Sequence, residues 1–358
     1  MGKKIESASF FIGKGGGGLI SFGSGQPDLP PPQQIYRAQN HFKTFRYGLV
    51  QGEKKLRDAL AEGYARANGD EFVITNGASE ALDLLLRAIS RRGGKILLPK
   101  PYYYSYPHNV RLAGMVPGYY HLRDGKIDYD DLEKKSHGKN VRAILINSPS
   151  NPTGTVQDVP VLKKIEALAD RLGDTCLISD EIYKDLIYER ENYVMKGRNV
   201  CTINSFSKTY AMCGIRVGYV HAKNKKIVER MVEIKTHTSM NTNTLAQEMA
   251  YEALRSPKNL VREQLEIWRE RRDYIYKSMV DLGLDLWKPE GAFYVFPKFK
   301  DPERAMHDLF YTYQIITYNG AWFGDPTRLR FSYALDIKQI KKGMERLAMF
   351  LGKEYRRY

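Results

Sequence analysis

Six short apolar segments, spread between residues 72 and 220 and separated by helical stretches, limit this chain to a small set of folds. They are Phe72-Val73-Ile74-Thr75, Lys95-Ile96-Leu97-Leu98, Ala143-Ile144-Leu145-Ile146, and residues 175–179, 200–204 and 217–220. Runs this short suit strands better than buried helices. They lack polar alternation, which marks strands covered on both faces. The stretches between them read as helices. One amphipathic helix begins at Gly52-Glu53-Lys54-Lys55-Leu56, and another follows Asn76-Gly77-Ala78-Ser79 as far as about Ser90. This alternation predicts an α/β fold with a large, mainly parallel sheet of the seven-stranded type, flanked by helices.

After about residue 225 the pattern changes. A long, charge-studded helical region runs through Trp268 to Leu282. Short strands follow at 292–296 and 328–333, and a terminal helix after Asp336. These predict a small α+β domain. Near the start, residues 11–18, Phe-Ile-Gly-Lys-Gly-Gly-Gly-Gly, lack both a preceding strand and the Gly-Lys-Ser/Thr ending of a nucleotide loop, so they read as a flexible connector. Ser24-Gly25-Gln26-Pro27 and the prolines at 30–32 exclude helix there. The expected division is 1–30 as an N-terminal segment joining the small domain, 31–255 as the large domain, and 256–358 as the small C-terminal domain.

Charge and cysteine content narrow the classes further. Lys+Arg is 56 and Asp+Glu is 41, a net +15. The cations are dispersed, with small clusters at Lys223, Lys225, Lys226 and at Arg269, Arg271, Arg272, and no zinc-finger or RNP-like motif occurs. The field therefore suits anionic metabolites better than nucleic acid. Mean hydropathy is −0.48 and the apolar runs are short, which argues against a membrane span. The opening Met1-Gly2-Lys3-Lys4-Ile5-Glu6 lacks the apolar stretch of a secretory leader. Three cysteines, Cys176, Cys201 and Cys213, form no CxxC pair and read as small core residues, which points to a reducing cytoplasm. Seven scattered histidines show no metal-ligand spacing, so no metal is expected.

Ligands of open α/β sheets bind where strands end. The residues just after the predicted strands are Gly77-Ala78-Ser79, Pro101-Tyr102-Tyr103, residues 147–152, Asp180-Glu181-Ile182-Tyr183, and Ser205-Phe206-Ser207-Lys208. They supply a helix-entry glycine loop, an aromatic plane, an amide, a carboxylate with a phenol, and a lysine beside hydroxyls. That set suits a phosphorylated, aromatic cofactor bearing a carbonyl.

With Asn151-Pro152-Thr153-Gly154, Gly214-Ile215-Arg216-Val217-Gly218, Gly291-Ala292-Phe293-Tyr294 and Arg330-Phe331-Ser332-Tyr333-Ala334, these motifs stand in one order along nearly the whole chain. In that order the sequence resembles the class I/II aminotransferases, pyridoxal-phosphate enzymes of fold type I. It looks most like the compact prokaryotic aspartate-aminotransferase group. The resemblance implies pyridoxal 5′-phosphate as cofactor and transamination of an α-amino acid with a 2-oxo acid. A lyase, a decarboxylase or a histidinol-phosphate-type aminotransferase would share the site. A non-enzymatic, basic DNA-binding regulator is the remote alternative, opposed by the lack of an added helix-turn-helix.

The resemblance also assigns roles. Lys208 forms the Schiff base with the cofactor aldehyde and then shuttles the proton. Asp180 pairs with the pyridine nitrogen, with Glu181 as its neighbouring rival. Tyr183 and Asn151 reach the ring's phenolic oxygen. Gly77, Ala78, Ser79, Ser205, Ser207 and Arg216 hold the phosphate. Tyr103 stacks on the ring, and alternation along an extended segment would turn Tyr102 and Tyr104 away. Arg330 grips the substrate α-carboxylate, with Arg328 as rival on the same strand face; Gly25 and Asn151 border it. Tyr47 reaches the phosphate of a partner subunit, so a homodimer is expected. The side-chain pocket is expected to hold Ile20, Phe22, Tyr47, Tyr103 and Phe323.

Overall fold

The computed structural model describes residues 5–11, 13–14, 16–43, 45–257 and 259–352. Residues 1–4, read above against a secretory leader, and Ile12 and Gly15 of the connector lie outside the described residues.

In chain order the strands are β1 (Ile20–Ser21), β2 (Phe72–Thr75), β3 (Lys95–Lys100), β4 (Val116–Arg123), β5 (Lys126–Ile127), β6 (Val141–Asn147) and β7 (Cys176–Asp180). They continue with β8 (Val200–Ser205), β9 (Gly218–Ala222), β10 (Tyr294–Val295), β11 (Ile315–Ile316), β12 (Tyr318–Asn319) and β13 (Leu329–Ser332). The large sheet has the order β2-β9-β8-β7-β6-β3-β4-β5. Neighbours from β8 through β4 pair in parallel, whereas β9 runs antiparallel to both β2 and β8. Every residue of β2, β7, β8 and β9 is buried, which explains why their sequences show no alternation of apolar and charged residues.

Seven of these strands form the expected sheet, and the two-residue β5 extends it as a hairpin partner of β4. The sequence reading missed β4. It begins Val116-Pro117-Gly118 and is mostly half-exposed near the sheet edge, so it carries turn residues and no apolar run.

Alternate residues of the sheet enter different cores. Ala143 and Leu145 pack in one cluster with Leu82, Leu85 and Leu86 of the helix Gly77–Ile89. Ile144 and Ile146 pack in another with Leu162, Ile165 and Leu168 of the helix Val159–Arg171. The period of two along the strand puts a helix layer on each face. The chain connects outward in opposite directions from β3 and β6, so the carboxyl ends of those neighbours flank a switch point where a crevice opens.

The N-terminal stretch joins the C-terminal part. β1 pairs in parallel with β11, and β10, β13 and β12 form an antiparallel sheet. Phe11, Ile20 and Phe22 share a core with Trp268, Ile340 and Met344. Phe22 lies so close to the helix Ile337–Phe350 that a Cβ on Gly343 would meet its ring at 2.3 Å. Glycine is tolerated in that helix interior because the close approach requires it, despite a cost of about 1 kcal/mol relative to alanine.

The helix Asn259–Asp281 carries the cluster Arg269, Arg271, Arg272, and none of the three is a free surface cation. Arg271 pairs with Asp28 at 2.6 Å, Arg272 with Glu189 at 3.0 Å, and Arg269 with Glu266 at 2.8 Å. Among the described residues no helix is long and apolar enough to cross a membrane.

Candidate active site

A cavity of about 360 Å³ opens at the carboxyl ends of β6, β7 and β8, roofed by residues 23–26 and β13. Its size falls within the range of small-molecule sites. Lys208, Asp180, Arg216 and Arg330 all line it, together with Gly25, Ala78, Ser79 and Tyr103. Asn151, Tyr183, Ser205 and Ser207 complete the expected residues found there. Twelve expected positions from distant parts of the sequence thus converge on one space.

Lys208 sits three residues past the end of β8. Its Nζ donates to the carbonyl oxygen of Gly25 at 2.6 Å. Burial holds its amine below the ordinary lysine range, and the cations of Arg330 and Arg216 push the same way, against the opposing Cys213 thiol. A lysine so placed is readily available as the neutral nucleophile and base.

Asp180 is the last residue of β7 and is buried. Its Oδ2 accepts from the Tyr106 hydroxyl at 2.6 Å, and its Oδ1 accepts from the Ile182 amide at 3.2 Å. Burial pushes its carboxyl up to about 6, and the two hydrogen bonds restrain that rise. A partly ionised carboxylate in such a place favours a cationic partner. Glu181 points away from the cavity. Its Oε1 accepts from Ser179 at 2.9 Å, and burial pushes its carboxyl up to about 7.

On the floor, the helix Gly77–Ile89 opens toward the cavity. The amides of Ala78 and Ser79 stand in its first turn, where helical geometry leaves N–H groups without an intrahelical acceptor. Arg216 reaches them from a left-handed backbone (φ 61°), held by a bond from Nη1 to the Cys213 carbonyl at 2.9 Å. Its guanidinium folds over Gly77, where a Cβ would lie 2.4 Å from Nη2. Gly77 therefore packs beneath Arg216 and does not line the cavity.

Arg330 lies inside β13, opposite Tyr318 in register, and is 2% exposed. Nη1 donates to Asn151 Oδ1 at 3.0 Å and Nη2 to the Gly23 carbonyl at 2.5 Å, while Nε has no partner. The rings of Tyr294, Phe323 and Tyr318 surround its guanidinium at 4.5, 4.7 and 4.8 Å. Gly25 is required beside it, because a Cβ would lie 2.1 Å from the Tyr294 hydroxyl. Tyr183 and Tyr294 share a 2.7 Å hydrogen bond. Arg328, the expected rival, faces elsewhere. It donates to the Phe296 carbonyl at 2.7 Å, pairs with Asp325 at 3.3 Å and stacks on Trp287.

Several expectations are corrected. Tyr104 lines the cavity beside Tyr103, whereas Tyr102 stacks on Tyr119. Residues 101–103 lie outside any strand and the chain turns at 104–105, so strand alternation does not apply to them. Ile20 and Phe22 are buried in the N- and C-terminal core and do not line the cavity, because β1 pairs with β11. Phe323 packs behind Arg330 rather than at the lining. Cys213 is half-buried and lines the cavity, where its thiol donates to the Ser207 carbonyl at 3.0 Å. Tyr47 lies outside the cavity and is 83% exposed in the single chain.

Tyr106 and Tyr318 go unmentioned in the sequence analysis, and Asn147 and Tyr294 stand there in motifs without a role. Asn147 had a signal, since it ends β6; its Oδ1 accepts the Asn151 amide at 2.9 Å. Tyr106 had none, because only the fold brings it to Asp180.

As a donor set these groups fit pyridoxal 5′-phosphate. The first-turn amides, serine hydroxyls and guanidinium form a cup for a dianion. A buried carboxylate faces a site for a protonated ring, and a low-lying lysine amine faces a site for an aldehyde. Arg330 lines the same cavity, where a guanidinium could hold a carboxylate.

The family model described as aminotransferase class I and II matches residues 18–347. A probable aspartate/prephenate aminotransferase of Aquifex aeolicus is 34% identical, over 92% of this chain and 90% of its own. The crystal structure of an aspartate aminotransferase from Thermotoga maritima superposes with a TM-score of 0.90 at 28% identity, covering 97% of this chain and 95% of that one. An aromatic aminotransferase from Pyrococcus horikoshii superposes with a TM-score of 0.88 at 30% identity, covering 97% and 99%.

Proposed function

Since the chain belongs to the class I and II aminotransferases, and so transfers amino groups with pyridoxal 5′-phosphate, we propose that aspartate or glutamate is its donor and 2-oxoglutarate its acceptor. Arg330, a buried guanidinium lining the same cavity as Lys208, supports an α-amino acid donor and a 2-oxo acid acceptor, and the observation that favours aspartate or glutamate among them is the 34% identity to a probable aspartate/prephenate aminotransferase. A planar fork at Arg330 would hold the α-carboxylate common to donor and acceptor and aim the α-carbon at Lys208.

Ala78, Ser79, Ser205, Ser207 and Arg216 would hold the cofactor's phosphate, Asp180 its ring nitrogen, and Tyr183 with Asn151 its phenolic oxygen. Tyr103 would cover one ring face. When bound, the cofactor supplies an electron sink for the α-carbon. Lys208 Nζ would take the proton from that carbon, and burial keeps the amine suited to the task. Asp180 would keep a proton at the ring nitrogen.

Aromatic amino acids are the second reading. Of the cavity's lining residues only Lys208, Arg216 and Arg330 are cations, and each has a role already, so none is left for a distal carboxylate. Tyr103, Tyr104, Tyr294 and Tyr318 offer aromatic surface instead. Purified enzyme given a panel of amino donors and 2-oxo acids decides between the readings. Aspartate turnover well above that of tyrosine and phenylalanine supports the first, and the reverse order supports the second. Turnover that needs no 2-oxo acid would turn the assignment toward a lyase.

A homodimer belongs to the same reading. Phe45, Tyr47 and Leu49 form an exposed apolar stretch on the single chain, suited to burial against a second copy with Tyr47 at the partner's phosphate. Pairing of β1 with β11 supports residues 1–30 as part of the small domain, with 31–255 and 256–358 as the other units. A cytoplasmic location fits the unpaired cysteines. Sedimentation of the holoenzyme tests the dimer; a monomer with full activity would remove Tyr47 from the site.

A further inference from the structure

An ion pair of a buried lysine and a half-buried glutamate lies at the start of the helix Gly77–Ile89, and the chemistry above does not use it. Lys235, at the end of the helix Lys225–Thr236, is 0% exposed. Its Nζ donates to both carboxylate oxygens of Glu80, at 3.1 and 3.0 Å, and to Ser239 Oγ at 2.9 Å. The Ser239 hydroxyl also donates to Glu80 Oε1. Glu80 stands in the first turn of its helix, and its Oε2 accepts the amide of the N-cap residue, Asn76, at 2.5 Å.

Asn76 is a junction. Its carbonyl accepts from Arg216 Nη2 at 3.5 Å, and the next residue is the Gly77 over which that guanidinium folds. The two residues after Gly77 carry the first-turn amides. One carboxylate therefore holds the residue whose N–H it accepts and whose carbonyl meets the arginine, one position before Gly77 and two before the first-turn amides. Its charge matters as well. A carboxylate at a helix N-terminus draws on the same positive end that a bound anion uses. Left alone, Glu80 would repel a phosphate dianion a turn away. Lys235 neutralises it without competing for the cavity.

We propose that Lys235 is a positioning residue for the cofactor phosphate, acting through Glu80 and Asn76. The proposal rests on the reading of Ala78, Ser79 and Arg216 as the phosphate cup.

The test compares the dissociation constants of pyridoxal 5′-phosphate and of pyridoxal, which lacks the phosphate, for the full chain stripped of cofactor. Lys235→Met should weaken the phosphorylated form by at least about tenfold and pyridoxal by less than about twofold, since only the phosphate senses the uncovered charge. Two double variants avoid an unpaired buried charge. Glu80→Gln with Lys235→Met keeps an acceptor for Asn76 and should bind within about threefold of the parent, while Glu80→Ala with Lys235→Met loses that acceptor and should weaken the phosphorylated form selectively by about tenfold.

Equal weakening of both ligands, or two double variants that bind alike, would overturn the proposal. Arg216→Ala separates it from the reading beneath it. If that variant fails to discriminate the two ligands, the phosphate cup is misassigned. If it discriminates and the Lys235 and Glu80 variants do not, the positioning role alone fails.

Discussion

At the Lys208 end of the cavity the polar groups arrive on the last residues of β-strands; at the Arg330 end they arrive from the middle of one strand and from loops far away in sequence. Asn147, Asp180 and Ser205 end β6, β7 and β8, and Lys208 follows three residues later. Asn147 and Asp180 find partners within the same lobe, as with Tyr106 on Asp180 and the Asn147 amide donating to the Asp180 carbonyl at 3.3 Å, and only Lys208 Nζ reaches out of it, to the Gly25 carbonyl. Arg330 instead bonds to Asn151 and to Gly23, across three segments, and keeps one donor unpaired. One end is set by the folding of a single sheet. The other exists only once the N-terminal stretch and the C-terminal sheet have come onto it. Changes at the first end should therefore act on the cofactor and the chemistry, and changes at the second on the substrate.

The largest effect expected from this contrast is at Lys208. On the proposed reading Lys208→Ala removes the nucleophile and the base together, and turnover should fall by at least about 10⁴-fold. Borohydride treatment of the parent holoenzyme should fix the cofactor on Lys208, as peptide mass mapping would report. A label on any other lysine would reject the assignment. Asp180→Asn comes next. On the same reading it removes the anion proposed to keep the ring nitrogen protonated, and the rate should drop by about three orders of magnitude, at the upper part of the range for a misplaced catalytic proton. The phosphate cup remains, so some cofactor should stay bound. Near-native turnover in this variant would place the carboxylate elsewhere.

The same contrast explains what could be read from sequence. A group at a strand end announces itself, because the strand is an apolar run and the following residue is out of pattern. Asp180, Ser205 and Lys208 were legible for that reason, and the order of their motifs carried the family resemblance. Tyr104 was misplaced because a turn replaced the alternation assumed for residues 102–104. Ile20 and Phe22 were misplaced because pairing with Ile315 and Ile316, nearly 300 residues on, decides which way they face. Tyr106 and Tyr318 carried no local signal at all. Their roles come from packing against Asp180 and from register with Arg330.

Arg330→Lys tests the second end. Lysine keeps the charge but loses the fork and the flat contact with three rings. One lost charge-assisted bond corresponds to roughly 2–3 kcal/mol, so kcat/KM should fall about 10²-fold for donor and acceptor alike. Cofactor affinity should hold within about threefold, because no cup residue is touched. If the variant transaminates as well as the parent, Arg330 is not the anchor. If it loses cofactor instead of substrate, the two ends are not separable in the way their construction implies.

The smallest effect lies at Tyr106, and it distinguishes a tuned carboxylate from a merely buried one. Burial raises Asp180 to about 6 in the folded, cofactor-free protein, above the usual 3.9 of an unfolded aspartate. A raised carboxyl favours the protonated form in the fold. The cost of burying Asp180 is therefore absent below about pH 4, grows between about pH 4 and 6, and is complete above that, at about 3 kcal/mol. The Tyr106 hydroxyl opposes this rise by donating to Oδ2. Tyr106→Phe should push the carboxyl higher still and cost the cofactor-free protein about 2 kcal/mol at pH 7.5, a charge-assisted bond, but only about 1 kcal/mol at pH 4, a neutral one. Denaturant melts of parent and variant at each pH give the difference directly, and every other titrating group cancels in it. A gap that narrows toward acid shows that Tyr106 holds the ionised form of Asp180. A gap that stays constant with pH would make Tyr106 a packing residue, and the carboxylate would owe its ionisation to the cofactor alone.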